Sequence, residues 1–202
     1  MAVKDHSLDD KIIKAAKSEF LEHGFREASL HKISARAGIT TGALYTRYKN
    51  KDTLFCSLVE EMLVSMKEAA QPIYEKYCAV ENQGDPDLII DTIKEEMQIY
   101  LQLMFEYYDE CVLFFCKSGG SSLDRSLKQM MEAKARTTII FLEQFSGKEF
   151  DKEGVELIMT EQFNIYRHIL EKGYSKEKAF VCMETVQNFL EAGWRDLFNR
   201  LM

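Results

Sequence analysis

Only 2 prolines and 10 glycines interrupt a chain of 202 residues. Between them, apolar side chains recur three and four residues apart almost from end to end, and no stretch alternates apolar with polar residues between hairpin dipeptides. A period of 3.6 in place of 2 predicts an all-α protein. With 46% hydrophobic and 29% charged residues, the chain can bury a core of its own. Its densest apolar run, Cys111–Cys116, falls far short of the ~20 residues that a spanning helix needs, so no membrane association is expected. Met1–Ser7 has no apolar stretch of a secretory signal, which makes a cytoplasmic location the expectation. The five cysteines (56, 78, 111, 116 and 182) are odd in number and form no Cys-x-x-Cys pair. They read as small core hydrophobes, with no disulfide framework, no metal and no cofactor.

Punctuation divides the helical pattern into about nine segments. Ser7 with Asp10 makes a capping box for a first helix carrying Ile12, Ile13, Ala16 and Phe20, stopped by Gly24. Ser29 caps a short second helix (Leu30, Ile33, Ala37) stopped by Gly38. Thr40 caps a third that runs to about Tyr48, and Asn50 a fourth carrying Leu54, Leu58, Met62 and Met66. After Pro72 the chain continues as helix or coil to a turn at 81–85, where Asp85-Pro86 starts a long helix broken near 107–109 and ended at 118–121. Further helices cover 123–145, 152–171 and 175–201, separated by Ser146-Gly147 and Gly173.

The formal net charge of −7 argues against a nucleic-acid partner only as an average. Residues 1–51 hold ten Lys/Arg against six Asp/Glu, a net of +4, and the remainder is −11. A small cationic head precedes an anionic body.

Within that head, Ser29–Lys51 reads as two short amphipathic helices joined at Ala37-Gly38-Ile39, a helix-turn-helix. The second helix offers Thr40, Thr41, Tyr45, Thr46 and Arg47 as hydrogen-bond donors, while Gly42 and Ala43 are too small to hold its backbone off a duplex. Leu44 is expected to pack inward against Ile33 and Phe20. Small residues beside donors suit a major groove, whose edge pattern distinguishes all four base pairs. The stretch from about Asp9 to Phe55 resembles the DNA-binding domain of TetR-family transcriptional regulators. The resemblance rests on Ala15-Ala16, Gly24-Phe25, Ser29, Ala37-Gly38-Ile39-Thr40, Gly42-Ala43-Leu44-Tyr45, Tyr48 and Lys51. Ala28, Ser34, Arg47 and Tyr48 depart from the usual family residues, and Arg47 adds a charge. The resemblance implies that Ser29, Tyr45 and Lys51 hold phosphates, with Thr40, Thr41, Gly42, Thr46 and Arg47 near base edges. Helix N-termini at Ser29 and Lys51 favour an anion independently of it. Lys32 and Lys49 are further phosphate candidates.

The body is rich in Met beside aromatics: Met97, Tyr100, Met104, Tyr107, Tyr108, Phe114, Met131, Phe163 and Tyr166, with Met159 nearby. Such side chains can either make a plain core or reshape around an apolar guest. The family resemblance implies an inducer pocket drawing on some of them. Phe180, Met183, Val186, Phe189, Leu190, Trp194 and Leu197 supply more apolar surface on the last helix than one buried stripe needs, so pairing with a second copy is expected.

These expectations combine into a helix-turn-helix DNA-binding domain at 1–51 and a helical effector-binding and dimerisation domain at 52–202. The partners are double-stranded DNA carrying an inverted repeat, a small-molecule inducer and a second copy of the chain. The expected function is a repressor released from its operator by a small apolar or aromatic ligand. The alternatives are a helical interaction module without DNA binding and a ligand-dependent activator. No nucleophile-and-base set or His/carboxylate cluster is legible, so an enzyme is not expected.

Overall fold

Backbone caps and buried stripes account for most of the element boundaries in the computed structural model, which describes residues 6–81, 86–145 and 148–201. Among the described residues there are ten α-helices and no strand. They are α1 (His6–Glu27), α2 (Leu30–Ala37), α3 (Thr41–Arg47), α4 (Lys51–Ser57), α5 (Glu60–Glu81), α6 (Pro86–Glu106), α7 (Tyr108–Cys116), α8 (Ser122–Phe145), α9 (Lys152–Glu171) and α10 (Lys176–Leu201). The all-α class is as the sequence predicts. Ser29, Thr40 and Asn50 each accept the N–H three residues on, from Lys32, Ala43 and Thr53. Each of those caps satisfies a donor that the first turn of a helix otherwise leaves unpaired.

Three boundaries differ from expectation. α1 begins at His6, so Ser7 lies inside its first turn and not before it. Gly24 does break the helical path, with φ 72° and ψ 171°, but helical turns resume to Glu27. The expected fourth helix is two: α4 ends at Ser57, the chain turns through Leu58 and Val59, and Met62 and Met66 belong to α5. Both turn residues are buried, so the break lets α4 and α5 each contribute apolar side chains. Pro72 sits within α5, which continues past it. The expected signals at Asp85 and Ser146-Gly147 lie outside the described residues.

The chain forms two compact units. Unit 1 comprises residues 1–63 and 109–127, and unit 2 residues 64–108 and 128–202. In unit 1, the buried apolar residues include Ile12, Ala15, Ala16 and Phe20 of α1, Ile33 of α2, Leu44 of α3 and Leu54 and Phe55 of α4. Phe20 meets Phe55 edge-on at 4.8 Å between ring centres, and Phe25 tilts against Phe55 at 5.2 Å. Residues 109–127 complete this unit: Phe25 N donates to the Lys117 carbonyl at 2.8 Å, and the Asp52 carboxylate accepts from Ser122 N at 2.8 Å and Ser122 Oγ at 2.6 Å. In unit 2, Ile89 and Ile90 of α6, Ala135 and Leu142 of α8, Val155 and Met159 of α9 and Trp194, Phe198 and Leu201 of α10 form the core.

One polar group is buried outright in unit 1. Glu19 has no solvent exposure, and its Oε1 accepts the N–H of Ser29 at 3.1 Å, the residue that caps α2. Its Oε2 lies 3.3 Å from Arg36 Nη1, an ion-pair distance without hydrogen-bond alignment. Removing a charged partner from a buried donor costs about 2 kcal/mol. Glu19→Ala is therefore expected to lower the unfolding free energy by about that much, and Glu19→Gln, which keeps an acceptor for Ser29, by less. Urea denaturation of the two variants beside the wild type checks the order.

Candidate functional site

The cap at Thr40, the left-handed turn at Gly38 (φ 72°, ψ 31°) and the buried Leu44 determine which side of α3 faces outward. Glycine is required at 38 because that φ penalises any Cβ. Leu44 is the one buried residue of α3, as its expected inward position requires. Gly42, Tyr45, Thr46 and Arg47 are exposed, Thr41 and Ala43 half-buried. Tyr45 is 52% exposed, a large cost for an aromatic ring that serves only the fold. A methyl group added at Gly42 would meet nothing closer than Thr40 Oγ1 at 3.9 Å, so packing does not require glycine there.

The candidate contacts fall into three groups. Thr41, Tyr45, Lys32 and Lys49 have no side-chain partner among the described residues. Ser29, Thr40 and Thr46 are engaged within their own helices: Ser29 and Thr40 as caps, and Thr46 through Oγ1 donating to the Gly42 carbonyl at 3.0 Å. Their oxygens keep further lone pairs. Arg47 and Lys51 are already paired inside unit 1. Arg47 Nε donates to Asp9 Oδ1 at 2.8 Å. Lys51 Nζ donates to the carbonyls of Arg26 and Ala28 at 2.9 and 3.2 Å and lies 4.9 Å from the centre of the Phe25 ring. Lys51 thus ties α4 to the end of α1, a role that spacing alone does not show. Tyr48 is half-buried at the C-cap of α3. Among the described residues one trio of potential metal ligands gathers, Glu19, Glu22 and His23. Arg36 already reaches both carboxylates, at 3.3 and 3.4 Å, so a cation is in place.

Unit 2 contains a cavity of about 350 Å³, lined from α5, α6, α8, α9 and α10. None of the nine side chains expected to take a ligand lines it. Met97 and Met104 are buried, Tyr107 pairs with Ser65 at 2.9 Å, and the hydroxyls of Tyr108 and Tyr166 donate to the carbonyls of Leu170 and Met97, each at 3.4 Å. Tyr100, Met131 and Phe163 are half-buried away from the cavity wall. Phe114 belongs to unit 1, where it meets Phe115 edge-on at 5.1 Å. Periodicity does not tell a core methionine from a cavity one. Met159, Ile93, Phe141, Phe198 and Trp194 form much of the apolar wall instead.

The polar part of the wall is organised around Glu96. Its two oxygens accept from Lys134 Nζ, both at 2.7 Å, and Oε2 accepts from Tyr77 Oη at 2.9 Å. Burial, and then the nearby Glu96 charge, push the Tyr77 phenol well above its ordinary value, and the same causes raise Tyr100 to about 12. Burial also raises the Cys111 thiol to about 12.

Of the expected interface residues, Met183 and Trp194 are 2% and 5% exposed and face the unit's own interior. The stripe that seals α10 against unit 2 passes through them at helical spacing, so they are unavailable to a partner. Phe180, Val186, Leu190 and Leu197 are half-buried, while Phe189 is 79% exposed. Leu157 and Ile158 of α9 and Val181 of α10 are also exposed.

Residues 12–58 match the family model described as bacterial regulatory proteins, tetR family. That segment is similar to the tetR family. Over 106 residues the chain is 31% identical to the fatty acid metabolism regulator protein of Bacillus subtilis (strain 168), a match that covers 46% of this chain and 55% of that protein. The chain therefore spans about half the length of that curated relative. A TetR-like transcriptional regulator from Rhodococcus sp. RHA1 superposes with a TM-score of 0.62 at 20% identity, covering 97% of this chain and 98% of the other. The transcriptional regulator FadR from Bacillus subtilis, in complex with stearoyl-CoA, gives 0.61 at 15% identity, covering 92% and 98%. These likenesses establish a shared fold along nearly the whole chain. No helix among the described residues is long and apolar enough to cross a membrane.

Tyr100 supplies a pH test of unit 2. An unfolded tyrosine ionises near pH 10 and this one near 12, so its linked stability is complete below pH 10 and is lost as pH rises towards 12. Wild-type protein is expected to lose stability across that window more steeply than Tyr100→Phe, followed by urea unfolding at stepped pH.

Proposed function

We propose that the protein is a homodimeric, sequence-specific DNA-binding repressor that leaves a palindromic operator when a small apolar or aromatic ligand occupies unit 2. It would act in the cytoplasm and carry out no catalysis. The observation that carries this reading is the outward side of α3: a half-exposed Tyr45 and a Gly42 that the fold does not need, next to the Thr41 hydroxyl and to Thr46, whose oxygen keeps lone pairs while its O–H donates to the Gly42 carbonyl. A glycine there lets helix backbone approach a groove, and a tyrosine hydroxyl suits a phosphate oxygen. Lys32 and Lys49 would add mobile positive charge, and Arg47 would exchange Asp9 for phosphate or a base edge. An exposed ion pair is worth only ~0–1 kcal/mol, so that exchange costs little.

One seven-residue helix reads few base pairs, which is why a two-fold pair is part of the proposal. Two copies would read half-sites about 34 Å apart, or a multiple of that. The exposed Phe189, Val181, Leu157 and Ile158 support pairing through α9 and α10. The relative that binds stearoyl-CoA supports an apolar ligand for the body, as does the cavity itself. Release would require the ligand to favour one of two states, and a coupling of ~1–3 kcal/mol changes operator affinity about 5- to 150-fold.

Two variants separate these claims from the stability of the fold. Gly42→Ala is expected to leave stability unchanged or raise it by about 0.5–1 kcal/mol, since alanine is the better helix former. It is expected to weaken binding to an inverted-repeat duplex about ten-fold, because the added methyl holds the helix off the groove. Equal affinity of wild type and variant in a salt-controlled binding assay would remove α3 from the interface. Phe189→Glu is expected to convert dimer to monomer in analytical ultracentrifugation while helical content persists. An unchanged sedimentation coefficient would place the pairing surface elsewhere.

A further inference from the structure

The unit 2 cavity carries more chemical information than its apolar wall. Two N–H groups among its lining residues have no acceptor: Nε1 of Trp194 and Nε2 of Gln162, both atoms closed off from solvent. Trp194 is 95% buried by side-chain packing, so it cannot turn outward to water. An unpaired buried donor costs ~1–3 kcal/mol, and an indole N–H can donate but never accept. What completes it must bring an acceptor.

The charge state of that acceptor follows from the rest of the wall. Lys134 and Glu96 face the cavity as a closed pair, with both carboxylate oxygens taken by Lys134 and one also by Tyr77. Thr137 and Thr138 donate to the carbonyls of Ala133 and Lys134 in their own helix. The cavity is therefore net neutral, with two donors over and no charge without its partner. A carboxylate or an ammonium entering it would lose its water without gaining a counter-charge, a cost that rises steeply in an apolar surround. At about 350 Å³ the cavity is also near the lower end of the ~300–1,000 Å³ range of ligand sites.

We propose that the cavity takes a compact apolar molecule bearing an uncharged carbonyl oxygen, of the ketone, ester or amide class, which accepts from Trp194 Nε1 and Gln162 Nε2. This identifies the ligand class for the repressor reading and rests on that reading only for its regulatory consequence. The carbonyl oxygen supplies the two lone pairs that the two donors lack.

The test uses the full-length protein and a built-in reporter, because Trp194 is the single tryptophan of the chain. Three ten-carbon probes, decan-2-one, decanoate and decylammonium, are titrated below their aggregation limits while Trp194 emission and the thermal midpoint are followed. Decan-2-one is expected to give a saturable emission change and a concentration-dependent rise in midpoint, with an affinity at least ~10-fold above either ion. Gln162→Leu is expected to weaken it about five-fold, the loss of one neutral hydrogen bond. Equal or tighter binding of decanoate or decylammonium overturns the proposal, as does the absence of a saturable response to decan-2-one in the wild type. Binding to an inverted-repeat duplex is measured in parallel. Decan-2-one that binds without releasing DNA upholds the ligand class and sinks the release step, whereas an ion that binds tighter and releases DNA does the reverse.

Discussion

The carboxylate of Glu19 and the ring of its neighbour Phe20 leave α1 within one residue of each other and do opposite chemistry. Phe20 enters the aromatic group with Phe25 and Phe55, and Glu19 meets the backbone N–H of Ser29 from inside the core. A charge removed from water is costly unless its attachments repay it. Here the repayment comes only at one rotation of α1 and one starting point of α2, which is how a polar group inside a core specifies geometry. The starting point of α2, followed by a left-handed turn at Gly38, then determines where α3 begins.

The consequence reaches the outer side of α3. With Leu44 pointed inward, helical spacing turns Gly42, Tyr45 and Thr46 outward together. The same packing revises the electrostatics of the head. Its excess of lysine and arginine overstates the charge open to a partner, since Arg36, Arg47 and Lys51 are occupied by Glu19 and Glu22, by Asp9, and by two backbone carbonyls. These basic groups organise the domain. The exposed Arg47–Asp9 pair is weak, while Lys51, held by two carbonyls and a ring, is the most firmly placed.

Unit 2 shows a different economy. Its cavity walls come from five helices and combine a closed charge pair with donors that packing leaves without acceptors. The half-buried tyrosines beside Glu96 stay protonated well beyond neutral pH. The apolar residues of α10 divide between sealing this unit, as Trp194 and Met183 do, and remaining exposed, as Phe189 and Val181 do.

Local chemistry was enough to read the head. Caps at Ser29, Thr40 and Asn50, the stop at Gly38 and the inward Leu44 all follow from interactions spanning three or four residues, which sequence spacing records directly. The same holds for the all-α class and for most helices of the body. Tertiary structure alone decided what depends on partners distant in sequence: Glu19 finding Ser29 and Arg36, Arg47 finding Asp9, residues 109–127 joining the head, and the break between α4 and α5. It also decided which methionines and aromatics line a cavity. Every amphipathic helix displays one apolar stripe in its sequence, and whether that stripe meets a neighbour, an empty space or a second molecule is settled only when the helices pack together.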